Sequence, residues 1–138
     1  MIVWNGWWRG SVSRMRVIVP GNVEGEVLYT EQPISFYGGV DLRTGVIIQK
    51  GHELEGESIA GKIFVFPHGV GSTVGSYVLY GLKKYNVAPL AIINQETEAI
   101  IATGAILANI PCFDRVDIKR LKNAKRVRIE DGVLEVLE

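Results

Sequence analysis

Lys62-Ile63-Phe64-Val65-Phe66-Pro67-His68-Gly69-Val70-Gly71-Ser72-Thr73-Val74-Gly75-Ser76-Tyr77 passes from an apolar run, through a glycine loop, into a helical period. The first five residues read as a short buried strand, and Pro67 closes it. From Ser72 the spacing changes. Val74, Tyr77, Val78, Leu82 and Tyr85 recur as one face of a helix. Lys83 and Lys84 fall in its last turn, where cations suit the helix dipole. Residues 88–93 are again apolar and strand-like. Strand, helix, strand in that order is a crossover unit, which favours parallel pairing of the two strands.

Outward from this unit the chain is rich in strands. Residues 16–19 are short and β-prone, and Pro20-Gly21-Asn22 turns the chain. Residues 24–30 read as the next strand, broken early by Gly25. Pro33-Ile34-Ser35-Phe36-Tyr37-Gly38-Gly39-Val40-Asp41 is too glycine-rich for a helix and too apolar for a solvated loop. Gly45 marks a turn before Val46-Ile47-Ile48, and residues 51–61 are loop-like and carry His52. Downstream, residues 97–108 suit a second helix that starts near Thr97 or Glu98, with Gly104 as its weak point. Pro111-Cys112-Phe113-Asp114 leads into a basic stretch. Residues 126–129 and 133–137 flank Asp131-Gly132, a strong hairpin signal. The expectation is a single α/β domain with two principal helices, a strand-helix-strand crossover and surrounding β-strands.

The 138 residues are enough for one domain, and 47% hydrophobic content allows a real core. Fifteen basic residues balance fifteen acidic ones, which argues against a nucleic-acid footprint. No apolar run is long enough to span a bilayer. Cys112 is the only cysteine, so an intramolecular disulfide is excluded, and one thiol cannot hold an iron–sulfur cluster or a structural zinc. No metal site is expected in this chain, and a reducing cytoplasm is the default compartment. Residues 1–14 crowd Trp4, Trp7 and Trp8 together with few charges. They read as a poorly ordered extension ahead of a domain over 15–138, with an aromatic contact patch as the alternative.

The loop at Ser72 gathers features that suit chemistry on an anion. Glycines at 69, 71 and 75 let the backbone take left-handed angles and bring amides close to a ligand. The first amides of a helix have no internal partner and favour negative charge. Gly69, Gly71, Thr73 and Gly75 are therefore candidates for a loop that supports substrate or an oxyanion, with Ser72 as the candidate catalytic hydroxyl. Gly71 stands where a Walker A loop needs lysine, and the G-x-S-x-G pattern of a hydrolase elbow is not met. The competing account is structural: Ser72 or Thr73 caps the helix and the glycines serve the turn.

Other residues divide the same way. Gly38, Gly39 and Asp41 line a cleft or a subunit interface, or else form a tight turn capped by Asp41. His68 lies near Ser72 in sequence and is a base candidate or a strand-end residue. His52 suits a surface position in a polar loop. Ser76 faces the same site as Ser72 or hydrogen-bonds a nearby helix carbonyl. Lys62 suits a solvated edge, and Lys119-Arg120-Leu121-Lys122 with Arg126 and Arg128 suits a solvated basic face. Cys112 fits a small core residue.

In combination, the Pro33–Asp41 stretch, Gly45, Gly51-His52, Gly61-Lys62 before a strand, and Gly71-Ser72-Thr73-Val74-Gly75-Ser76-Tyr77 resemble the swivel domain of aconitase X. The resemblance runs from about Met15 to the C-terminus. It implies a swivelling β/β/α domain that works as the small subunit of a hydro-lyase. It implies a large partner subunit carrying a 4Fe-4S cluster, with Ser72 as the proton acceptor in a shared site. The implied substrate is a small phosphorylated hydroxy acid. The implied reaction dehydrates (R)-5-phosphomevalonate to trans-anhydromevalonate 5-phosphate in a modified mevalonate route to isoprenoids. The alternatives are a hydroxyproline dehydratase subunit and a non-catalytic interaction module that keeps the fold.

Overall fold

A computed structural model describes residues 12–138. The strands in chain order are β1 (Val12–Arg14), β2 (Arg16–Val19), β3 (Val23–Tyr29), β4 (Ile63–Phe66), β5 (Ala91–Asn94), β6 (Cys112–Asp114), β7 (Arg126–Glu130) and β8 (Val133–Val136). The helices are α1 (Gly75–Lys84) and α2 (Ala99–Ala108), with a 3-10 turn at Ile118–Leu121. Residues 1–11 of the expected extension lie outside the described residues, and Val12–Arg14 pairs with β8.

The strands run in the order β1-β8-β7-β3-β4-β5-β6-β2. β3, β4 and β5 are parallel, with α1 crossing over between β4 and β5 as the sequence led us to expect. β3 changes partners midway: Val23 to Glu26 pair with β7, and Val27 to Tyr29 pair with β4. Gly25 does not break this strand. It holds its place opposite Val127, and a side chain there would collide with Leu90 Cδ1.

Alternation along β4 sorts the core into two layers. Phe64 and Phe66 face one way and join Leu79, Leu82, Ile101 and Ala105 of the helices. Ile63 and Val65 face the other way and join Val127, Ile129 and Leu134 of the β7–β8 hairpin. The hairpin turns through Asp131 at φ 52° and Gly132 at φ 77°, as Asp-Gly predicts. The molecule is thus helices on sheet on hairpin, an α/β domain with a β/β/α layering.

The helical face read from the spacing is shifted in the structure. α1 buries Gly75, Ser76, Leu79 and Leu82, while Val74, Tyr77 and Tyr85 are exposed. The reason lies in α2. Gly104 has no side chain, so Leu79 Cδ1 and the Ser76 carbonyl come to within 2.5 and 3.1 Å of where a Cβ would stand. That close approach rotates α1 toward α2 and turns the tyrosines outward. The glycine expected to weaken α2 is what lets the two helices pack.

Candidate active site

Parallel β3, β4 and β5 send their C-terminal ends to one edge, and three loops meet there: residues 30–41, 67–74 and 95–98. This edge is where open α/β sheets commonly build sites. Ile34 bridges to Gly69, joining the first loop to the second. Asn94, buried at the end of β5, donates from Nδ2 to the Phe66 carbonyl at 3.0 Å and accepts Thr97 Oγ1 at 2.9 Å. Asp114 accepts the Thr97 amide at 2.8 Å and holds a two-pronged pair with Arg16 at 2.8 and 2.7 Å. Burial pushes the Asp114 carboxyl up, but the Arg16 hydrogen bond and the Thr97 amide outweigh it, and the group lies below the ordinary carboxylate range.

Glu98 completes the frame. One carboxylate oxygen accepts the Gly69 amide at 2.8 Å, and the other accepts Ile100 N at 2.8 Å and Ile101 N at 3.3 Å. It caps α2 and fixes the start of the Ser72 loop at once. The sequence located Glu98 near a helix start and gave no sign of this second tie. Ser35 and Gln49 were missed as well. Ser35 Oγ sits 2.5 Å from where a Gly71 Cβ would be, and Gln49 Oε1 accepts the Ser35 amide at 2.9 Å. No local pattern marks either residue, because both contacts are long-range.

Ser72 is exposed at the mouth of this edge. Its Oγ accepts the Val74 amide at 3.1 Å, and its carbonyl accepts the Gly75 amide at 3.0 Å. The Gly69 amide is engaged by Glu98, and the Val70 amide by the Ile34 carbonyl. The amides of Gly71, Ser72 and Thr73 donate to no group among the described residues. An exposed hydroxyl therefore stands among donors free to meet negative charge. Gly71 has φ +89°, and Gly75 packs against Phe36, Ile100 and the Tyr37 amide.

The remaining candidates are placed as follows. Gly38, at φ +80°, is open, while Gly39 is wedged against the Ser35 carbonyl. Asp41 accepts the Arg43 amide at 2.8 Å, within its own turn. His68 Nδ1 lies 3.0 Å from the Gly69 carbonyl. Ser76 Oγ donates to the Ile100 carbonyl at 3.0 Å, a tie between helices rather than a group in the site. His52 is buried, not at the surface, and its Nδ1 accepts the Leu54 amide at 3.0 Å. Lys62 Nζ donates to the Ser58 carbonyl, Arg126 and Arg128 of β7 pair with Glu24 of the neighbouring β3, and Arg128 also pairs with Glu135 of β8. Cys112 is buried, and burial pushes its thiol up to about 12.

An iron–sulfur cluster needs several deprotonated thiolates. One sealed, protonated thiol does not meet that need, and among the described residues no three His, Cys, Asp or Glu side chains come together to hold a metal. The residues of this chain do not fit such a cluster. Among the described residues, no helix is long and apolar enough to cross a membrane.

The family model described as the aconitase X swivel domain matches residues 12–136, and the chain belongs to that family. It is 54% identical over 125 residues to the phosphomevalonate dehydratase small subunit of Thermococcus kodakarensis, covering 89% of this chain and 94% of that protein. The protein of the same name from Thermococcus onnurineus is 51% identical over 125 residues, covering 89% and 96%. The crystal structure of Thermococcus kodakaraensis aconitase X in its holo-form superposes with a TM-score of 0.90 at 52% identity, covering 94% of this chain and 100% of that one.

Proposed function

We propose that this chain is the small subunit of a phosphomevalonate dehydratase and that Ser72 is the proton acceptor in a site shared with a larger partner. The observation that carries the reading is identity above 50% to proteins of that name over 89% of the chain. The exposed Ser72 hydroxyl beside free amides agrees with it.

In this reaction (R)-5-phosphomevalonate loses a proton from the carbon beside its carboxylate, and the hydroxyl on the next carbon departs with its bonding pair. The electrons of the broken C–H bond become the new C=C bond, and water is the second product. A serine hydroxyl is a poor base in water and needs donors and exclusion of solvent to hold its negative charge. The Val74 amide supplies one such donor to Ser72 Oγ. The amides of Gly71, Ser72 and Thr73 supply further positive potential to the loop or to an anionic group of the substrate. In this reading Gly38 and Gly39 belong to the site through their loop, which Ile34 ties to Gly69, and Asp41 holds the turn that follows. The 4Fe-4S cluster of such an enzyme sits on the larger subunit, and the complex works in the cytoplasm.

The test is reconstitution. The chain and its large subunit are combined anaerobically with iron and inorganic sulfide, and loss of water from phosphomevalonate is followed by NMR. Turnover by the pair and none by this chain alone is expected. Turnover of hydroxyproline in place of phosphomevalonate, or none by the pair, overturns the assignment.

A further inference from the structure

We propose that the uncharged strip running from Val74 and Tyr77 of the α1 start across to Ile100, Thr103 and Ile106 of α2 is the surface on which the larger subunit docks. The inference rests on the small-subunit reading above and adds where the partner sits. α2 reads Ala-Ile-Ile-Ala-Thr-Gly-Ala-Ile-Leu-Ala, without one charge in ten residues. A helix that is apolar all round is ordinarily buried all round. Here Ile101, Gly104, Ala105 and Ala108 meet the core, but Ile106 is 62% and Leu107 48% exposed. Tyr77, on the neighbouring helix, is 68% exposed.

These residues form one continuous surface. A groove of about 300 Å³ lies between the two helix starts, lined by Thr73, Ser76, Tyr77, Ala99, Ile100 and Thr103. Thr103 and Ile106 are neighbours at i, i+3 on α2. At its other end the groove opens at Thr73, directly after Ser72. A site shared through Ser72 must bring the larger subunit against this end, so the same partner covers the apolar surface that continues from it. The outer hairpin and the adjoining part of β3 contrast with the strip: Arg126 and Arg128 of β7 form exposed ion pairs with Glu24 of β3 and Glu135 of β8, which suits water. A complementary partner surface is apolar, with a side chain large enough to fill the groove. A few well-packed anchors, aromatic ones prominent among them, carry most of an interface's affinity.

The test measures affinity of the chain for its large subunit by calorimetry, with Ile106→Glu, Tyr77→Ala and, as a control beside the hairpin turn, Val17→Glu. Thermal melting of each variant alone checks folding. At least a tenfold weaker affinity for Ile106→Glu and Tyr77→Ala, with Val17→Glu unchanged, is the expected result. Unchanged affinity for both strip variants overturns the inference, as does a wild-type chain that uses this strip to pair with a second copy of itself. Reconstituted activity separates the two ideas. Wild-type turnover with strip variants that bind normally sinks the docking surface alone. Strip-dependent binding with no dehydratase activity sinks the functional reading alone.

Discussion

Glu98 and Gly69 are joined by a 2.8 Å hydrogen bond from the Gly69 amide to the Glu98 carboxylate. The other oxygen of the same carboxylate caps α2 through Ile100 and Ile101. One side chain therefore sets both where the Ser72 loop begins and where the second helix begins.

Removing that carboxylate should cost both stability and activity. Glu98→Ala leaves three amides without their acceptor, and loss of one such partner or cap costs about 1–2 kcal/mol. Urea unfolding should register a loss of at least that size. Glu98→Gln keeps an acceptor oxygen and should lose less. Equal stability of wild type and Glu98→Ala would show that the tie is idle.

Gly71 should tolerate no side chain. Its φ of +89° and the Ser35 Oγ facing it both oppose a Cβ. Left-handed backbone alone costs an L-residue about 1–2 kcal/mol. Gly71→Ala should lower the urea midpoint accordingly and reduce turnover of the reconstituted enzyme. Adding Ser35→Gly should relieve the clash but not the backbone cost, so recovery should be partial.

The Arg16–Asp114 pair predicts an acid-sensitive frame. The Asp114 carboxyl is lowered in the fold relative to an unfolded aspartate near 3.9. A carboxylate lowered on folding contributes its stability above the unfolded value and loses it as pH falls through the folded value. Asp114→Asn should therefore be less stable than wild type at neutral pH, and the gap should close as pH drops below about 4. Denaturation midpoints from pH 7 to pH 2 measure this, and a gap constant across that range would contradict it.

Cys112 should be chemically silent in the native chain. Its thiol is sealed in the core and pushed up to about 12 by burial, and reactivity requires an accessible thiolate. A thiol reagent at pH 8 should label none of the folded protein and one site per chain in guanidinium. Rapid native labelling would place the thiol at an open surface.

Much of the fold is legible in the residues themselves. The apolar run of β4, the parallel crossover and the Asp-Gly hairpin all follow from local chemistry, because period and turn type are written within a few residues of each other. What misled is also physical. Val74, Tyr77, Val78, Leu82 and Tyr85 mimic a buried stripe, but tyrosine carries a polar end and tolerates water. The true seam uses Gly75, Ser76, Leu79 and Leu82, since small residues let α1 meet α2 at Gly104. Gly25 looked like a strand breaker because glycine has no side chain to pack, but the side chain of Leu90, sixty-five positions away, fills its place. The Ser72 loop stood out for its glycines. Its supports, Glu98, Ser35 and Gln49, did not, because each acts across a distance that no local pattern spans.

Ser72→Ala in the assembled enzyme is the most direct measurement of the central claim. General-base catalysis typically contributes about 10²–10⁴-fold. With Ser72→Ala, kcat for phosphomevalonate dehydration should drop by a factor in that range, while affinity for the large subunit and the melting temperature stay as in wild type. Full turnover by Ser72→Ala would mean that this hydroxyl only braces the Val74 amide, and the proton acceptor would have to be sought elsewhere.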